Sequence, residues 1–145
     1  MSDRIYDLFI THAWRYHDDW TRLVALLDQF LDQSWRNFSV PWYDPALDLN
    51  SKIGKNLIYR RLEQQIIPSC GVILLSSVHE NKSARTWVEI EVAMARKHEK
   101  RIIGLPAFGR TSMSPEAVVL VDVVSPWDPT RLIAALTRQC IFRSD

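Results

Sequence analysis

Glycine is scarce in this chain. Only four occur in 145 residues, Gly54, Gly71, Gly104 and Gly109, and no two stand close enough for a G-x-G-x-x-G turn or a Walker loop. The usual backbone cradles for dinucleotides and nucleoside triphosphates are therefore excluded. Cysteine is scarcer still. Cys70 and Cys140 match no metal-ligand spacing. Both lie beside apolar segments, so two ordinary buried thiols are the expectation and a disulfide is not. His17, His79 and His98 are too scattered to hold a metal. No Lys/Arg run stands out and the net charge is +1, which gives nucleic-acid binding no electrostatic support. No apolar run approaches the ~20 residues of a membrane span, and MSDRIYDLFITHA has no secretory apolar core of useful length. The expectation is one cytoplasmic domain over residues 1–145, without metal, bound cofactor, nucleic acid or membrane.

What is present is an ordinary globular composition, with 47% hydrophobic and 24% charged residues. Strand and helix signals alternate along it. Ile5–Thr11 is a short apolar strand. Asp18 or Asp19 is placed to cap a helix whose apolar face is Trp20, Leu23, Val24, Leu27, Phe30 and Leu31. Phe38–Tyr43 reads as a second strand, held to an edge by Pro41, which cannot donate to a ladder. A loop over 44–50 leads to a helix over 51–67, stopped by Pro68. Gly71–Ser76 is the most apolar strand and reads as central. A loop over 77–83 follows, then a helix from Ala84 to Lys100 with Ser83 as its cap. Arg101–Pro106 is a fourth strand, 115–120 a short helix, and Val121–Val124 a weak fifth strand. Asp128 and Pro129 open a last helix that turns Leu132, Ile133, Leu136 and Cys140 inward.

Glu91 is the residue out of place. At ~100° per residue the helix over 84–100 has an apolar stripe of Trp87, Val88, Ile90, Met94 and Ala95, and Glu91 falls inside it. Glu89 falls on the opposite side with Arg85, Arg96 and Lys100, where a solvated charge belongs, and at helical spacing it would pair with Arg85 or Arg96. Burying a carboxylate is costly unless it is paired or used. The bland alternative for Glu91 is a structural pair with a neighbouring cation or with His98.

Strands alternating with helices predict an α/β, three-layer, flavodoxin-like fold: a five-stranded parallel sheet in the order 2-1-3-4-5 with helices on both faces. Ligands of such sheets bind beyond the carboxyl ends of the strands at the switch point. That brings Thr11, His12, Ala13, Trp14, Asp44 and Ser76 around one crevice with the start of the Glu91 helix. A phosphoacceptor site needs an aspartate after strand three and an acidic pair after strand one. Ser76-Ser77 and Thr11-His12 stand there instead. A flavin phosphate loop needs small hydroxyl residues after strand one, and THAWRYH is too bulky.

Several segments resemble bacterial TIR-like domains, and most of all the TIR subunit of the Thoeris anti-phage system. They are FITHAW after the first strand, FSVPWYDP, Trp87-x-x-x-Glu91, Lys100-Arg101-Ile102-Ile103-Gly104, and Ser125-Pro126-Trp127. The likeness runs over nearly the whole chain. One departure is that Arg85-Thr86 precede the tryptophan where several TIR families carry serine. The resemblance implies an enzyme that consumes NAD+ as substrate. It implies Glu91 as catalytic residue. The switch-point crevice offers Thr11, His12, Ala13, Trp14, Asp44 and Ser76 as substrate contacts, and Trp87, one turn before Glu91, as a ring to stack on a base; the bland alternatives are a loop histidine at His12, packing at Trp14 and Trp87, and a turn at Asp44. The resemblance further implies an ADP-ribose-derived, often cyclic, signal read by a separate effector protein, and self-association between TIR domains. A non-catalytic TIR adaptor working by protein–protein contact is the alternative that the same fold allows.

Overall fold

In the computed structural model, residues 5–11, 17–39 and 52–140 are described, with the backbone alone at 52–55 and 83. Chain order is β1 (Tyr6–Ile10), α1 (Asp18–Leu31), β2 (Trp35–Asn37), α2 (Lys52–Ile66), β3 (Gly71–Leu75), α3 (Ser76–Glu80), α4 (Lys82–Lys97), β4 (Ile102–Leu105), α5 (Pro115–Val118), β5 (Val123–Val124) and α6 (Pro129–Gln139). The strands form one five-stranded sheet in the order β2-β1-β3-β4-β5, and every pairing is parallel. This is the flavodoxin-like order expected from the sequence.

The sheet centre follows from side-chain chemistry. All five residues of β3 are buried, as are all four of β4. Strands covered on both faces need no polar alternation, so a continuous apolar run suits them. Right-handed crossovers put helices on opposite faces where the order reverses between β2 and β3. Accordingly α2 packs with α4, while α6 lies near β1 and β3: Tyr6 bonds Thr137 at 2.9 Å, and Leu136 and Cys140 crowd Gly71. On α1, Trp20, Leu23, Leu27 and Leu31 are buried at i, i+3, i+7 and i+11. A fully buried leucine such as Leu23 or Leu27 contributes ~1.5–3 kcal/mol by burial.

The local differences have identifiable causes. His17, not Asp18 or Asp19, caps α1, its Nδ1 accepting from the Asp19 N–H at 3.0 Å. Both aspartates sit in the first turn, where the helix dipole favours them. Phe30 is 50% exposed because the buried stripe is narrower than its apolar pattern. The second strand starts earlier than the proline-containing segment suggested. Asp32 adopts φ 51, the chain reverses at once, and buried Trp35 pairs with Tyr6. Phe38 follows β2 and donates its N–H to Leu8 O at 2.9 Å, while 40–43 lie outside the described residues. β2 keeps the expected edge position. The segment after β3 is the short helix α3 rather than a loop, and Ser83 falls within α4 rather than ahead of it. Asp128 caps α6 as expected, accepting from Arg131 N–H.

The cysteine expectation is overturned. Cys70 and Cys140 form a disulfide, with Cα atoms 4.9 Å apart. Topology explains it. A crossover helix runs antiparallel to its strands, so α6 ends at the edge where β3 begins. Cys70 immediately precedes β3 and Cys140 closes α6. Cytosolic thiols are usually kept reduced, so this bridge and the cytoplasmic expectation pull in opposite directions. No described helix is long and apolar enough to cross a membrane.

Candidate functional site

The carboxyl ends of β1 and β3 are joined by Thr11. Its N–H donates to Ile73 O at 2.9 Å, and its hydroxyl accepts from Leu75 N–H at 3.0 Å. The side chain is fully buried, so Thr11 fixes the spacing of the two strand ends. Ser76 follows directly at the start of α3 and is also fully buried, its hydroxyl without a hydrogen-bond partner among the described residues. Both stand where the sequence put them. His12, Ala13, Trp14 and Asp44 lie outside the described residues.

The α4 helix packs on α3, α2 and β3. Its inward face is Ala84, Val88, Glu91, Val92 and Ala95, spaced i, i+4, i+7, i+8 and i+11. Glu91 is 0% exposed, so the carboxylate that periodicity placed among apolar neighbours is inside the protein. Trp87, one turn earlier, is half-buried and packs against the core. Glu89 is on the solvent side, with 55% of its side chain exposed. It lies 3.5 Å from the His79 imidazole rather than pairing with Arg85 or Arg96. Arg85 Nε donates to His79 O, and Arg96 binds Asp122. His98 is committed elsewhere: its Nε2 stands 2.8 Å from Glu63, which also accepts from Lys97. These two neighbours hold the Glu63 carboxyl below its ordinary value, His98 contributing most.

A second buried acid was not singled out by sequence. Asp19 is 3% exposed at the start of α1. Its carboxylate accepts from Arg22 at 2.7 Å and from Phe108 N–H at 3.1 Å. Burial pushes its carboxyl up, but the nearby Ser77 hydroxyl, the Phe108 N–H and Arg22 together hold it below the ordinary value. Asp19 thereby ties α1 to the chain leaving β3 and β4. At that junction the Arg22 guanidinium lies 4.4 Å from the Phe108 ring centroid, and Phe108 meets Trp127 edge-on at 5.5 Å. Trp127 Nε1 donates to Pro106 O at 2.8 Å. The available signal was spacing: Asp19 stands four residues before Leu23 on the buried stripe of α1.

A groove of about 400 Å³ runs along the outer side of α4, bordered by Tyr59, Glu89, Ile90, Ala93, Met94 and Lys97 among others. Glu91 does not border it. Among the described residues no group of His, Cys, Asp and Glu is arranged to hold a metal ion.

A parallel 2-1-3-4-5 sheet, with a fully buried glutamate on the second helix after the central strand and a tryptophan one turn before it, defines a TIR-like domain. The chain belongs to the Thoeris protein ThsB TIR-like domain family, whose model matches residues 9–111. The matched span runs from β1 past β4 and includes Thr11, Ser76, Trp87 and Glu91. No curated protein matches the chain. Membership gives it a role of TIR type in anti-phage defence.

Proposed function

We propose that this domain cleaves the nicotinamide–ribose bond of NAD+ and releases an ADP-ribose-derived signal that activates a separate effector in the defence response. The observation that carries the reading is Glu91, fully buried on α4 one turn after Trp87, in a family of TIR type. Nicotinamide in NAD+ is cationic. When the C1′–N bond breaks, its electron pair neutralises the ring nitrogen, so no general acid is needed. Positive charge develops at C1′, as in glycoside hydrolysis, and a carboxylate beside the ribose stabilises it. Glu91 takes that role. Thr11, His12, Ala13, Trp14, Asp44 and Ser76 are assigned to the substrate crevice, and Trp87 stacks on a base. Capture of C1′ by water gives linear ADP-ribose, whereas capture by a ring nitrogen of the adenine gives a cyclic product. Water exclusion by Trp87 favours the second.

Full burial of Glu91 has a consequence. A dinucleotide reaches this carboxylate only after the crevice rearranges, which suits an enzyme silent until triggered. Self-association of TIR domains is the assembly step we assign to that trigger.

The test is NAD+ consumption and product mass spectrometry in phage-challenged cells. Glu91→Gln is expected to abolish consumption while the protein stays folded. Equal defence by parent and Glu91→Gln overturns the enzymatic reading and assigns a protein–protein role. An unchanged ratio of cyclic to linear product in Trp87→Ala removes Trp87 from product control.

A further inference from the structure

The amino-terminal edge of the sheet, opposite the carboxyl ends of β1 and β3, carries a groove of about 220 Å³ lined by Arg101, Asp122, Val123, Ala135, Arg138 and Gln139. Arg101 precedes β4, Asp122 precedes β5, and Arg138 and Gln139 close α6. We propose that this groove binds a small phosphate monoester, at a site separate from the one assigned to NAD+.

Charge comes first. Arg101 and Arg138 are exposed, and neither makes a hydrogen bond or close ion pair with another described residue, although the Arg101 charge helps hold the Asp122 carboxyl below its ordinary value. The carboxylate of the groove is already committed. Asp122 Oδ2 accepts from Arg96 Nη1 at 2.7 Å and from Ile102 N–H at 2.7 Å. Arg101 and Arg138 thus line the groove beside an acid already paired with Arg96, and both have donor forks available. Planar forks of this kind match phosphate oxygens bidentately.

An unsatisfied amide in the groove wall gives the second, independent observation. Both amide atoms of Gln139 are buried and lack a hydrogen-bond partner among the described residues. Buried amides are nearly always satisfied. Turned into the groove, this amide offers a donor and an acceptor together, which suits a hydroxyl next to the phosphate better than a bare anion. Val123 and Ala135 supply an apolar wall. The volume lies below the ~300–1,000 Å³ of sites for drug-sized ligands, which limits the ligand to a sugar phosphate or something of similar size.

One effect opposes an anion here. The carboxyl end of α6 carries partial negative charge, equivalent to roughly half an elementary charge. Cys140 N–H bonds to Leu136 O and satisfies one of the end carbonyls. Two whole positive charges outweigh the remainder. Arg138 alone would be explained as complementing the helix end, but that leaves Arg101 and Gln139 unaccounted for. Five of the six lining residues lie beyond residue 111, outside the span that the family model matches.

The experiment is calorimetric titration of the full chain with inorganic phosphate and with ribose 5-phosphate, at ionic strength matched with potassium chloride. Saturable binding of ribose 5-phosphate, tighter than that of inorganic phosphate, is expected. Arg101→Ala with Arg138→Ala should weaken it about tenfold or more, with an unchanged circular dichroism spectrum. Gln139→Leu should erase the preference for the ester while inorganic phosphate still binds. Glu91→Gln should bind as the parent does, so failure of the NAD+ reading leaves this one standing. Absence of saturable binding, equal affinity for the two probes, or full affinity in the double arginine variant overturns the proposal.

Discussion

Breaking the Cys70–Cys140 bridge should lower stability by an amount that chain statistics supply. The cysteines are 70 residues apart, so the bond closes nearly half the chain into a loop. Loop-closure entropy for that length corresponds to about 4 kcal/mol, expressed mainly through the unfolded state. At ~2–4 °C per kcal/mol for a chain of this size, the melting temperature should fall by roughly 10 °C. The folded structure should change little, because β3 and α6 are also held by packing. Gly71 sits against Leu8 and Leu136, both fully buried. Urea unfolding followed by tryptophan fluorescence, with and without dithiothreitol, measures the difference. Cys70→Ala with Cys140→Ala should match the reduced protein closely, apart from a small packing term at Cys140, which is 1% exposed. Oxidised and reduced free energies agreeing within about 1 kcal/mol would refute the entropic account. Two thiols that react in unreduced, denatured protein would refute the bridge itself.

Asp19→Ala should cost ~2–3 kcal/mol, since the Phe108 N–H loses a charged acceptor, while the half-exposed Arg22 partner adds little. The sign of its pH dependence is fixed. The folded carboxyl titrates below its ordinary value of 3.8, so its contribution is intact above that value and is lost as pH falls through the lower folded value. Denaturation of parent and Asp19→Asn across pH 3 to 7 (a range of about four units) should therefore show a gap that narrows only at the acid end, and a constant gap would contradict the assignment. Gly104→Ala places a Cβ 2.5 Å from Met113 Sδ and 3.0 Å from Val121 Cγ1, so a loss of ~1–3 kcal/mol is expected in chemical denaturation. Adding Met113→Ala should recover part of it, and no recovery would place the strain elsewhere.

The fold was legible because burial on both faces writes itself into sequence. GVILL and IIGL needed no context to be read as inner strands, and the α4 stripe put Glu91 inside by angle alone. Edges were harder. β2 has three residues, one of them an exposed arginine, and its register comes from pairing Trp35 with Tyr6, which no local pattern states. The α3 helix was missed because SSVHE has neither apolar periodicity nor a side-chain cap. The disulfide was missed because it depends on where α6 ends relative to β3, a relation between segments far apart in the chain. At the strand ends, the positions of Thr11 and Ser76 were legible because they follow directly from where β1 and β3 stop. Asp19 was not, since its role depends on Phe108, 89 residues away.

The final strand is only Val123–Val124, and both valines are exposed. A border that short presents almost no free row of amides and carbonyls for a neighbouring chain to zip onto. Copies of this protein meeting at that flank gain little by extending the β-structure from one molecule into the next. A contact there falls mainly to side-chain surfaces, which single substitutions can tune.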